Sequence, residues 1–195
     1  MAENSRDTPL VYSFEDEPSP TGNSAVGHYL RSYLTAIRAK TFVKEEDYID
    51  KDYLIDYSKF YARSFDVHKK YTTRYHFFAI RFTDEEFKEA LRSGDQKFFT
   101  KLKRSYLGFI VLKPIKDING HNLIGKTLLT PYPIKDGEEE RVYLKSSVNV
   151  SLFGVNLKIK STPFQVQDVA VGACATIACW TSLFPLTNLF GISAY

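Results

Sequence analysis

The sequence predicts an α+β fold: early helices and an antiparallel β-meander, followed by an apolar helix. Three observations carry that expectation. Aromatic and aliphatic residues recur at helical spacing in the first third of the chain. Apolar runs between residues 106 and 160 are separated by the turn signals Asn119-Gly120, Asp136-Gly137 and Phe153-Gly154. The last 27 residues, Val169 to Tyr195, contain no charged side chain and hold both cysteines.

Residues 1–24 are rich in Pro, Ser, Glu and Asp and read as a flexible N-terminal segment, with Leu10-Val11-Tyr12 as its one pairing candidate. His28 to Ala39 carries Tyr29, Leu30, Tyr33, Leu34 and Ile37 at helical spacing, and Thr41-Phe42-Val43 then reads as extended. Tyr53, Tyr57, Phe60 and Tyr61 fall on one side of a helix expected over 50–64, with Asp50, Asp52 and Asp56 off that side. Arg74 to Phe82 reads as a strand. Thr83 and Glu86 form a capping-box pattern that opens a helix carrying Phe87 and Leu91 inward; Ser93-Gly94 ends it. A second helix runs through Phe98, Phe99 and Leu102. Tyr106 to Ile115 is a continuous apolar strand and Leu123 to Leu129 a further one. Residues 141–146 and 147–160 then alternate as strands. Residues 25–160 thus form a mixed α/β accessory region ahead of a distinct, apolar stretch at 161–195.

Composition narrows the function classes. With 26 Lys and Arg against 23 Asp and Glu, the net charge is +3, and the bases are interleaved with acids, so no nucleic-acid partner is expected. Two cysteines five residues apart lie about 140° apart on a helix and do not suit a disulfide. The N-terminus has acids where an export signal needs bases, and a reducing, cytoplasmic setting follows as the expectation.

Four groups of residues invite chemistry. Gly120 to Thr127 fits GxxxxGK[ST], but the residues after it hold two prolines and no helical period, so a β-hairpin turn is expected rather than a phosphate loop. Asp47, Asp50, Asp52 and Asp56 have no calcium-loop spacing and read as a solvated helix face. His28, His68, His76 and His121 are scattered at spacings that suit no metal, and His76 within an aromatic strand reads as a hydrogen-bonded core residue. No metal or cofactor is expected.

The fourth group is the run FQVQDVAVGACATIACW. Gly172 permits a turn into a helix whose first turn holds Cys174, where the helix dipole favours a thiolate. The side-chain amide of Gln167, with Gln165 as the alternative donor, and the Cys174 backbone N–H could donate to a developing oxyanion. Ile177, Ala178, Thr181 and Phe184 continue the inward face, and Cys179 reads as a small core residue. This order of residues, over 163–187, resembles the papain-like cysteine peptidase superfamily, in particular bacterial members with Gln-Asp ahead of a Cys-Ala-x-x-Ala helix. The resemblance implies that 161–195 is the start of a papain-like core, with Cys174 as nucleophile and Gln167 as oxyanion donor. It implies a peptide or protein substrate and a histidine base from outside this chain. The remainder of the polypeptide, or a partner, would cover the C-terminal helix.

Two other classes compete. A non-enzymatic binding or assembly module would use the aromatic faces and the uncharged tail to dock. A membrane anchor is disfavoured, because Val169 to Phe184 gives 16 uncharged residues before Pro185 where a span needs about 20.

Overall fold

The computed structural model describes residues 8–17, 20–63, 68–117, 119–134, 137, 144–166 and 174–191. Its centre is a five-stranded antiparallel sheet in the order β1-β2-β3-β4-β5: Val11–Ser13, Thr41–Tyr48, Thr72–Phe78, Tyr106–Lys116 and Asn122–Leu129. Helix α1 (Ala25–Ala36) joins β1 to β2, and α2 (Lys51–Lys59) with a 3₁₀ turn (Tyr61–Arg63) joins β2 to β3. The pair α3 (Asp84–Ser93) and α4 (Gln96–Ser105) joins β3 to β4. A separate hairpin, β6 (Ser146–Leu152) and β7 (Val155–Ser161), precedes α5 (Cys174–Phe190). The α+β class and antiparallel pairing are as the sequence predicts, but the meander expected over 106–160 is divided: β4 and β5 complete the five-stranded sheet, whose earlier strands alternate with helices, and β6 and β7 pair only with each other.

Burial on both faces explains why β4 reads as an unbroken apolar run. Leu107, Ile110 and Leu112 meet Leu30 and Leu34 of α1, and Ile37 at its C-cap, in one core. Phe109 and Val111 point to the other face, into a core with Phe87 of α3, Leu102 of α4, and Val150, Leu152, Val155, Leu157 and Ile159 of the hairpin. A third cluster seats Tyr53 and Tyr61 on Ile115 and Leu123, so α2 caps the far end of the β4–β5 ribbon. The hairpin buries only one face, and β7 alternates strictly between buried and exposed residues.

Local chemistry sets the helix ends. Asp50 caps α2 by accepting from the Tyr53 N–H at 2.9 Å. Thr83 and Glu86 form the expected reciprocal box, and α3 stops at Gly94 in a left-handed conformation, φ 69°. Gly108 in β4 has φ 119°, and a Cβ there would fall onto the Leu128 carbonyl oxygen of β5. Only a glycine permits this close approach where Gly108 pairs with Leu129.

The structure moves several expected boundaries. The first helix begins at Ala25, capped by the Ser24 side chain, and not at His28. β3 ends at Phe78, because its partner β4 begins opposite it at Tyr106. Ala79 bonds instead to the Ser105 carbonyl, and Phe82 turns into the core beside Phe87. Asp47 belongs to β2, at φ 52°, next to an irregularity in the β2–β3 register. The 120–127 stretch is a turn followed by β5, as expected of a chance motif match. β6 starts at Ser146, and residues 141–143 of the expected strand lie outside the described residues.

Candidate functional site

The segment before α5 is tied to the sheet. Phe164 exchanges two backbone hydrogen bonds with Thr127, at 2.7 and 2.9 Å, and the Val166 N–H donates to the Ile124 carbonyl at 3.2 Å. Residues 164–166 therefore run along the outer edge of β5. The expected oxyanion donor Gln167 lies outside the described residues. The alternative donor Gln165 is half-buried. Helix α5 is described over Cys174–Phe190; residues 171–173, where the sequence places the turn into it, lie outside the described residues.

Helix α5 packs beside β6, with Trp180 and Pro185 buried and Phe184 against the core shared with the hairpin. The Trp180 and Phe184 rings lie 5.4 Å apart between centres, tilted by 58°. Two expectations fail here. Cys179 is exposed, not a core residue, and Ala178 is exposed too. The cause is that α5 is apolar on all sides, so the pattern names no inward face; packing on β6 selects the side holding Trp180. The opposite side leaves Leu183, Leu186, Leu189 (71%) and Phe190 (68%) in solvent. No described helix is long and apolar enough to cross a membrane.

The acidic residues around α2 form a buried electrostatic clamp, which corrects their reading as a solvated face. Lys126 of β5 reaches Asp52 at 2.7 Å and Asp50 at 3.3 Å, and Lys113 of β4 reaches Asp56 at 3.3 Å. Burial would lower the Lys126 pKa, yet the two carboxylates outweigh it and hold the ammonium above its usual range. This clamp places α2 on the sheet. Among the described residues no group of three or more His, Cys, Asp or Glu is arranged to hold a metal.

A second polar network lies between the sheet and the hairpin. His76 is fully buried, and its Nδ1 lies 2.9 Å from the Tyr106 hydroxyl and its Nε2 3.2 Å from Glu45. Arg74, two residues along the same face, donates to Glu45 at 2.6 Å and to the Ser151 carbonyl of β6 at 2.6 Å. Its guanidinium also stacks 3.8 Å from the Tyr48 ring centre. Burial lowers the His76 pKa to about 4, against the pull of Glu45, so the ring is neutral near pH 7. Burial likewise raises Tyr106 well above its ordinary value. The protons then follow: Tyr106 donates to Nδ1, and Nε2–H donates to the Glu45 carboxylate. Burial raises Glu45, but the hydrogen bonds from His76 and Arg74 and the guanidinium charge together carry it below the usual carboxylate range. The core reading of His76 holds. Its partners escaped sequence reasoning, although an Arg and a His at i and i+2 in an aromatic strand signal one shared polar face.

His121 is placed differently. Asp117 accepts from the backbone N–H groups of Asn119 and His121, both at 2.9 Å, and its other oxygen lies 3.5 Å from His121 Nδ1. These backbone bonds lead the causes that keep the Asp117 carboxyl below its usual range. The pair borders a small pocket that also touches Val166. A larger cleft, of about 390 Å³, lies where α1 meets the 161–164 segment; Tyr29, Tyr33, Tyr132 and Phe164 form its walls. Tyr33 and Tyr132 rings stand 4.1 Å apart, and the Tyr33 hydroxyl donates to the Thr130 carbonyl.

Comparison with protein-family models, with curated proteins and with solved structures finds no match.

Proposed function

We propose that this chain carries the nucleophile of a thiol-dependent acyl-transfer enzyme of the papain-like kind, acting on a peptide or protein. The observation that supports this reading most is that Cys174 lies in the first described turn of α5. A residue in the first turn of a helix sits among backbone N–H groups with no helical partner and at the positive end of the dipole. Both favour the thiolate, which is the attacking form of the group. The thiolate attacks the carbonyl carbon, the C–N bond breaks, and the leaving amine takes a proton. Gln167 and the Cys174 N–H donate to the oxyanion. The base is a histidine from outside these 195 residues: His76 is buried, neutral and committed to Tyr106 and Glu45. Without that base, the chain alone binds and reacts with electrophiles but does not turn over.

The test is covalent capture by a peptide carrying a vinyl sulfone. Labelling that persists in Cys179→Ala and disappears in Cys174→Ala supports the reading. Equal labelling of both single variants contradicts it.

A second reading has its own observation. The exposed apolar side of α5, at Leu183, Leu186, Leu189 and Phe190, favours a binding or assembly module that docks through this helix. In that case Leu186→Asp abolishes assembly and Cys174→Ala leaves it intact.

A further inference from the structure

Charge is distributed unevenly over this fold. Between Gln96 and Lys116 the sequence has six cations and no carboxylate, and between Leu144 and Val166 three cations and no carboxylate. These stretches meet in space: α4 packs beside β7, with Leu102 and Phe98 turned into the core that also takes Leu157 and Ile159. Their other sides face solvent. Lys97, Lys101 and Arg104 recur at i, i+4 and i+7, one stripe along α4, with Lys103 beside it. Lys158 and Lys160 alternate with the buried residues of β7. All six are exposed, and none has an ion-pair partner among the described residues. Two other lysines of the sheet are treated otherwise: Lys113 and Lys126 are both neutralised by α2.

We infer that the face formed by α4 and β7 is an interaction surface for an acidic, extended polypeptide segment. Six like charges with no ion-pair partner among the described residues repel one another, and an anionic partner relieves that repulsion. Lys158 and Lys160 point the same way about 6.7 Å apart, the repeat of alternate side chains in an extended strand. Around them the exposed face of the hairpin offers Ser147, Asn149 and Asn156, which can hydrogen-bond a peptide backbone. Bases would need an aromatic platform or an element that enters a groove. Among the described residues of this face, Phe98 and Phe99 are turned toward the core, and the exposed Phe153 lies in the hairpin turn, edge-on to Phe87.

The experiment is fluorescence anisotropy with the full chain and two probes: a labelled oligoglutamate of about twelve residues and an oligothymidylate of similar charge, at low salt. The variants are Lys101→Glu with Arg104→Glu, and Lys158→Glu with Lys160→Glu. The control is Lys51→Glu with Lys59→Glu, two exposed lysines on α2 that change the net charge equally. Circular dichroism checks that each variant folds. The expected result is oligoglutamate binding that weakens at least about tenfold in each α4 or β7 variant and less than about twofold in the control. Equal weakening in the control, tighter binding of oligothymidylate, or no binding of oligoglutamate overturns the inference.

Discussion

The Nδ1 atom of His76 and the hydroxyl of Tyr106 lie 2.9 Å apart on neighbouring strands, inside the protein. This contact anchors a chain of polar groups that runs through Glu45 and Arg74 to the Ser151 carbonyl of the hairpin. Its consequences are thermodynamic.

The folded pKa of His76, about 4, lies below its ordinary 6.5, so folding favours the neutral ring. Stability is therefore full above about 6.5 and falls as the pH drops toward 4, by about 3 kcal/mol over that window. Glu45, also held below its ordinary value, adds a loss only at lower pH, below about 4.5. Urea unfolding of His76→Gln should show a flat profile between pH 6.5 and 4.5, where the parent chain slopes.

Arg74→Met should destabilise more than a surface substitution. It leaves the Glu45 carboxylate with His76 alone and cuts the hairpin's bond to β3. A cost of about 3 kcal/mol follows for one half of a largely buried pair, read from urea midpoints. The double variant Arg74→Met, Glu45→Gln, which removes the unpaired charge and keeps an amide oxygen for the His76 Nε2–H, should recover part of it.

Gly108→Ala should cost at least about 2 kcal/mol, since the added methyl would meet the Leu128 carbonyl at φ 119°. Gly154→Ala, also at positive φ but in an open turn, should cost less. Thermal midpoints of the two variants compare them directly.

Thr83→Ala removes one half of the capping box of α3 and should cost about 1 kcal/mol. Thr83→Ser should restore most of it, measured by the same melts.

Features with local causes were legible in the sequence. The capping box, the unbroken β4 run, the alternation of β7 and the Phe153-Gly154 turn each follow from residues within a few positions of one another. The electrostatic clamps did not. Asp52 meets Lys126 across 74 positions and Asp56 meets Lys113 across 57, so their burial depends on a sheet that has first to form. Glu45 and His76 are joined only because β2 and β3 pair with α2 looped out between them. Cys179 was misread because a helix apolar all round gives no moment to orient it. Of the candidate site, an apolar helix containing Cys174 was legible from its run of small and apolar residues, whereas the edge pairing of Phe164 with Thr127 was not.

The most direct measurement of the central claim is a titration of Cys174 itself. In Cys179→Ser, the rate of alkylation by iodoacetamide followed against pH reports one thiol. The account predicts a midpoint below about 7.5, as a helix N-terminus and nearby amide donors would impose. A midpoint at or above about 8.5, the value of an unassisted cysteine, would contradict it.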